Sequence, residues 1–405
     1  MKIIESLSCF YEFFLLVVKK REEIMQNKEC ETCGGCPLRN LELNDYRSQK
    51  IDEFKKVLSS IKENDFLIDE PIFINDGLRR RAEMAFCFEN KKLKLGFNEA
   101  QSSNIVDITN CMMLDASLNK LLPILHNFLE DIISIPVMIS TKKKRVEKVF
   151  IKKGSVRLLK ADNGIDVLLI IDNAPNVEHR MLIAEFVNSN QDILRVSWQE
   201  KNKKPEEIVT KSVPILNIKG YEIAIPQGSF LQASKDAENK MIDKVIEYLD
   251  NTSGKIIDLF CGLGTFTYPL SLNKNNEIIS VDSSDVSLKG LEKALAVNQI
   301  HNVKVINKNL FKYPLEKDDF NNIKAIVIDP PRAGAHEQCR EILKLNNEQK
   351  PQKIVFVSCN PKTFVYDANV LIEANYNFER VTLVDQFVYS NHMELIALFT
   401  LNQDK

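Results

Sequence analysis

From about residue 226 onward, short apolar runs alternate with segments of helical spacing. The runs cover 255–260, 277–282, 303–307, 325–329 and 353–358. Each is long enough for one strand and each interval for one helix, the pattern of a parallel sheet with helices on both faces. The rhythm before that point differs. Helical spacing marks 46–58, while 81–88 and 93–97 read as short strands. Apolar alternation in 149–159 and 165–171 predicts paired strands. The chain is therefore expected to be α/β, with an N-terminal extension (1–25), a cysteine-bearing region (26–115), a β-rich central domain (116–215) and a C-terminal Rossmann-like, doubly wound domain (216–405).

Composition narrows the class. A hydrophobic share of 44% in 405 residues supports a sizeable buried core, and 27% charged residues suit a folded globular chain. A formal net charge of -2 excludes a uniformly basic, histone-like surface but permits a local basic groove. Nine cysteines are too sparse for a disulfide-stapled domain, and three of them crowd into 30–36, which points to a metal or cluster site in a reducing compartment. The apolar run at 9–18 contains Glu12 and falls short of the ~20 residues of a spanning helix. Lys19, Lys20 and Arg21 follow it, not a small-residue cleavage pattern. It reads as an extra amphipathic helix, or as residues preceding a true start at Met25. The expectation is a cytoplasmic monomer without a membrane span.

Three boxes at predicted strand ends carry chemistry. In Asp258-Leu-Phe-Cys-Gly-Leu-Gly-Thr-Phe266, Gly262 and Gly264 let the backbone turn tightly and approach a ligand. Asp282 ends the next apolar run, where an acidic side chain can hold a ribose hydroxyl pair. A third glycine and a Walker Lys-Ser/Thr are both missing, so dinucleotides and triphosphates are disfavoured and S-adenosylmethionine fits. A packed turn in an unrelated α/β domain is the bland alternative. Asp329-Pro330-Pro331-Arg332 would fix a carboxylate at the carboxyl edge of the sheet, with Arg332 in place of the aromatic residue that amine methylation favours. Cys359, in Ser358-Cys359-Asn360-Pro361, is either a nucleophile at a strand tip or a small core residue.

Five ordered boxes together carry a resemblance: Gly228-Ser-Phe-Leu-Gln-Ala-Ser234, the 258–266 turn, Asp329–Gly334, Ser358–Pro361 and His392-Met393-Glu394. Over about 226–399 the chain resembles the RNA uracil-C5 methyltransferases, which make 5-methyluridine with S-adenosylmethionine. The resemblance implies a class I methyltransferase domain and an RNA-binding central domain. Uracil C5 is a poor nucleophile until a thiolate adds at C6; by resemblance Cys359 is that thiolate, locally activated, and Glu394 the base that removes the C5 proton. It likewise implies that Gln232, Phe260, Thr265, Asp282 and Asp329 line the cofactor pocket, with Asn309 toward adenine. Thr265 and Ser234 stand where relatives often carry Asn. The target base must leave its stack, and Phe230 or His392 are candidates to stack on it.

Cys30, Cys33 and Cys36, with Cys111 as a distant fourth, suit Zn²⁺ or an iron–sulfur cluster. Three clustered ligands and one remote favour a [4Fe-4S] cube. The family's ribosomal-RNA members carry such a cluster around a Cys-Gly-Gly-Cys core like Cys33–Cys36; the Cys30–Cys33 gap is shorter here than theirs, leaving Cys9 as a substitute for Cys30. Arg79-Arg80-Arg81, and Lys142–Arg145 continuing through Lys148, Lys152, Lys153, Arg157 and Lys160, are candidates for phosphate binding. No RNA-binding β-barrel appendage is evident at the N-terminus. The resulting expectation is methylation of a uridine in 23S rRNA; the alternatives are a transfer-RNA uracil-C5 methyltransferase and a non-catalytic RNA-binding protein with a metal knuckle. The Ser-Cys-Asn-Pro setting of Cys359 argues against cytosine as the target.

Overall fold

The structure is a computed structural model and describes residues 28–63, 65–140 and 146–402. The extension 1–25 with Cys9 and Met25, and the basic residues 142–145, lie outside the described residues. No helix among the described residues is long and apolar enough to cross a membrane.

The predicted C-terminal strands form as Lys255–Leu259, Glu277–Asp282, Val303–Asn307, Ile323–Ile328 and Lys353–Ser358, all parallel. Period-two alternation divides their side chains between two cores. Ile257, Leu259, Ile326, Ile328, Ile354 and Phe356 face one; Ile256, Ala325, Val327, Val355 and Val357 face the other. The first is covered by Pro361–Glu373 and His336–Lys344 through Phe364, Leu371 and Ile342, the second by Lys235–Tyr248 and Asp285–Val297 through Met241, Val245, Leu288 and Leu291. Apolar residues on both faces are what a strand covered by helices on each side requires.

Three features depart from the sequence expectation. The sheet is mixed: Glu394–Leu401 runs antiparallel to both Lys353–Ser358 and Tyr376–Asp385, and Leu67–Ile68 and Ile72–Phe73 pair in parallel with Tyr376–Asp385. The stretch 149–159 is not one strand, because Val146–Phe150 pairs with Pro136–Ser140 whereas Lys153–Ala161 pairs with Arg81–Glu89. And the 115/116 boundary crosses one core. The seven-stranded sheet combines Arg81–Glu89, Lys92–Asn98 and Ile105–Asp107 with Lys153–Ala161, Gly164–Ile170, Ile193–Gln199 and Glu206–Thr210. Met84, Phe86, Leu125, Leu129, Val156 and Trp198 share its interior. Strand pairs far apart in sequence carry no local signal, which is why patterning misses them.

Candidate active site

Parallel strands deliver their C-terminal residues to one edge, and the registers say which residues meet there. Leu259 pairs with both Val281 and Ile328, so Phe260, Asp282 and Asp329 lie at one level. Asp282 itself pairs with Asn307, two residues before Asn309. The last antiparallel rung is Ser358 against Leu395; the next residues outward are Cys359 and Glu394, which therefore face each other where the ladder ends.

The glycine turn opens on strain. Phe260 holds φ at 60°, a left-handed conformation that bulky residues rarely adopt outside functional sites. Gly264, at φ 97°, could not carry a Cβ, which would meet Leu291 and the Tyr268 ring at 2.8 Å. Gly262 donates its N–H to Asp282 Oδ2 at 3.0 Å, and Ser284 N donates to Oδ1 at 2.7 Å. Both carboxylate oxygens are thus fixed by backbone while each keeps a lone pair for a ligand. Asn309 Oδ1 accepts from the N–H of Phe311 at 3.1 Å and Lys312 at 3.3 Å, leaving its NH₂ as the free end. The Phe311 and Phe260 rings lie 5.5 Å apart. Gly262 and Thr265, half-buried, complete this rim.

The other end of the edge is acidic, with Glu394 buried and Asp329 and Cys359 half-buried. Glu394 is 5% exposed, and burial pushes its carboxyl up to about 7 against the opposing pull of a Gln386 hydrogen bond and the Arg332 charge. Asp329 is held well above the usual carboxylate range by burial, then by the charges of Glu394 and Asp258. Gln386 Nε2 links Glu394 Oε1 at 2.9 Å to Gln232 Oε1 at 3.0 Å. Cys359 is half-buried, and burial, with Glu394 and Asp329 next, pushes its thiol up to about 11; the Arg332 guanidinium pulls the other way. Activation of this thiol therefore has to overcome burial first, and Arg332 is the nearby cation that favours the thiolate. Asn360, which caps the helix Pro361–Glu373, also donates to Arg332 O at 2.8 Å, so the Cys359 and Arg332 turns are tied together.

Over residues 44–401 the sequence matches the model of the tRNA (uracil-5-)-methyltransferase family. The chain belongs to this family. An uncharacterized RNA methyltransferase of Agrobacterium fabrum is 32% identical over 91% of this chain and 82% of its own. A 23S rRNA (uracil(1939)-C(5))-methyltransferase of Shewanella frigidimarina is 30% identical over 92% of this chain and 81% of its own. In fold, the chain resembles the Pyrococcus abyssi tRNA (uracil-54, C5)-methyltransferase, solved with S-adenosyl-L-homocysteine, at TM-score 0.68 and 21% identity, covering 90% and 86% of the two chains.

The methyltransferase also brings its four predicted cysteine ligands together. Cys30, Cys33, Cys36 and Cys111 line one small cavity with Arg39, Phe97, Ile108 and Met112. Arg39 donates to the carbonyls of Glu31, Cys33 and Cys36, and Gly35 N to Cys33 Sγ at 3.4 Å. Gly34 packs so closely that a Cβ would lie 3.0 Å from the Ala100 backbone. Cys111 is held by Asn119, which accepts from its N–H and donates to its carbonyl. Among the described residues no three His, Cys, Asp or Glu side chains are arranged to hold a single metal ion.

The basic run at 79–81 separates. Arg80 is 4% exposed, paired with Glu238 at 2.8 Å and donating to the Gln232 carbonyl at 3.0 Å, so it serves the fold and not a phosphate. Pleating sends its neighbours the other way: Arg81 lies over the ring of Phe230, 64% exposed, and Arg79 over Phe387. Arg157 is paired with Glu83. His392 is exposed, its ring against Phe387 and within reach of Arg332. Sequence reading missed Gln386, Lys50 and Tyr46, and saw Arg332 only as a substitute for an aromatic ring; spacing along the chain gave no sign of what they meet.

Proposed function

We propose that this methyltransferase transfers the methyl group of S-adenosylmethionine to C5 of a uridine in 23S rRNA through a transient Cys359–C6 bond. The carrying observation is the register that sets a thiol and a carboxylate opposite one another at the sheet's ligand-binding edge. Asp282 would hold the ribose hydroxyls, Phe260, Gly262, Gly264 and Thr265 the wall, and Asn309 the adenine edge. When bound, the cofactor supplies an electrophilic methyl group.

Cys359, its proton lost to solvent beside Arg332, adds its electron pair to C6 and the C5=C6 pair becomes an enolate; C5 would then take the methyl as the methyl–sulfonium bond breaks, its electron pair leaving with S-adenosylhomocysteine. Glu394 carboxylate then removes the C5 proton. That C–H pair re-forms C5=C6 as the S–C6 bond breaks and the thiolate leaves. Gln232 and Asp329 border the base, which must be unpaired or extruded to reach the sulfur.

Cys30, Cys33, Cys36 and Cys111 would hold a [4Fe-4S] cluster: four sulfurs on one cavity are the donor set it takes. Its role is structural or RNA-organising, since Cys359 and Glu394 account for the chemistry. Ribosomal RNA as substrate is supported by relatives named for 23S rRNA across more than nine-tenths of this chain. The family's own description supports transfer RNA instead. Mapping 5-methyluridine by mass in both RNAs from cells lacking the protein separates them. A lost 23S signal supports the reading; loss from transfer RNA alone replaces it.

A further inference from the structure

The proposed base is held by a residue that the reaction scheme does not use. Gln386 follows the strand Tyr376–Asp385 and is 6% exposed. Its Nε2 carries two N–H bonds, and both are committed: one to Glu394 Oε1 at 2.9 Å, the other to Gln232 Oε1 at 3.0 Å. Glu394 and Gln232 are 5% and 7% exposed, so water does not compete for these contacts. One amide therefore fixes two rotamers. It sets the Glu394 carboxylate, and by engaging the carbonyl end of Gln232 it leaves the Gln232 NH₂ as the end that can meet a ligand.

The segment carrying Gln386 is anchored from outside the C-terminal domain. On the helix Leu43–Leu58, Tyr46 donates its hydroxyl to Asp385, and the Lys50 ammonium lies 3.6 Å from the same carboxylate. Lys50 Nζ also donates to the His392 carbonyl. Lys50 and Asp385 are 0% and 1% exposed. A buried pair of this kind adds little net stability but holds one geometry, here at both ends of 385–392.

We propose that Gln386 is a positioning residue that aims the Glu394 carboxylate at the C5 proton and the Gln232 NH₂ at a carbonyl oxygen of the same base. The proposal rests on reading Glu394 as the base. Besides Gln386, the groups facing Glu394 are Asp329 and Arg332 from one turn and Cys359 from the adjoining strand end.

Two variants test it: Gln386→Met, which keeps the volume and removes both donors, and Gln386→Glu, which keeps size and polarity but puts an acid beside Glu394. The probe is RNA from cells lacking this protein, labelled with tritium at uridine C5, so that tritium release to water reports proton removal. A second RNA carrying 5-fluorouridine stops at the covalent adduct, because fluorine cannot leave as the proton does. Both variants should form that adduct within about threefold of wild type yet release tritium roughly tenfold or more slowly at neutral pH. The midpoint of the acid limb of release should move upward in both.

Release at the wild-type rate with an unmoved pH profile overturns the proposal. So does adduct formation falling in step with release in both variants, since that marks a merely structural residue. Glu394→Gln separates the two levels of the argument. If it still releases tritium at the wild-type rate, the assignment of the base fails; if it stops release while Gln386→Met does not slow it, only the positioning role fails.

Discussion

Asp329 and Glu394 share one edge of the sheet: burial, and after it the negative charge of Glu394, hold the Asp329 carboxyl well above its usual range. Glu394 itself sits at about 7. A base must be unprotonated, so turnover should climb as pH rises through about 7, where an ordinary glutamate would already be fully charged. Initial rates between mildly acidic and mildly alkaline buffers check this; a rate already flat at pH well below that midpoint would be inconsistent with Glu394 as the base.

The same burial has a stability consequence of definite sign. Glu394 has an ordinary value of 4.5 and a folded value of about 7, so between them the folded state holds the extra proton. Its contribution is then lost as pH rises through that window. Glu394→Gln should be more stable than the parent at alkaline pH by about 1–3 kcal/mol, with the difference vanishing in acid. Thermal unfolding at two pH values measures it.

Removing the sulfur isolates the covalent step. Cys359→Ala should abolish 5-methyluridine formation while S-adenosylmethionine affinity changes by no more than about threefold, because the thiol lies at the Glu394 end of the edge and not at the Asp282 end. Adduct formation with 5-fluorouridine RNA on a denaturing gel should disappear with it. Methylation that survives the substitution would sink the thiolate route.

Asp282 accepts backbone hydrogen bonds at 3.0 and 2.7 Å and offers its remaining lone pairs outward. Asp282→Ala should weaken S-adenosylmethionine binding by about 1–3 kcal/mol, roughly five- to 150-fold. Calorimetric titration of the purified protein reads this directly, and an unchanged affinity would remove Asp282 from the pocket.

Cys111 is the remote member of the cysteine set, held in place by Asn119. After anaerobic reconstitution the parent protein should contain about four iron and four sulfide per chain, and Cys111→Ser should lose most of both. Iron analysis and visible absorbance test it. A parent protein that takes up zinc and no iron would point to the other metal its sulfurs suit.

Much of this molecule was readable in one dimension. The five parallel strands announced themselves because each is a short apolar run, and a strand buried on both faces needs nothing else. The amphipathic helix was legible from the spacing that buries Tyr46, Phe54 and Leu58. Gly262 and Gly264 marked a turn because glycine takes a positive φ without strain. Cys359 and Glu394 stood out by the company of their boxes; neither singly differs from a core cysteine or a surface acid.

What chain order leaves undetermined is every relation between distant segments. Lys50 looked like one more polar residue on a helix, yet it is wholly enclosed against Asp385, 335 positions later. Arg80 read as part of a basic patch until pleating turned it inward to Glu238. Burial, and after it Glu394 and Asp329, push the Cys359 thiol upward, an influence on its protonation that its neighbours in sequence do not reveal. Local sequence determined which elements form and which edge their ends share, since hydrophobic periodicity and backbone sterics act over a few residues. Tertiary structure alone decided the pairing of Cys359 with Glu394, the bridging amide of Gln386 and the shared cavity of the four cysteines, because desolvation, charge and hydrogen bonding depend on distance in space.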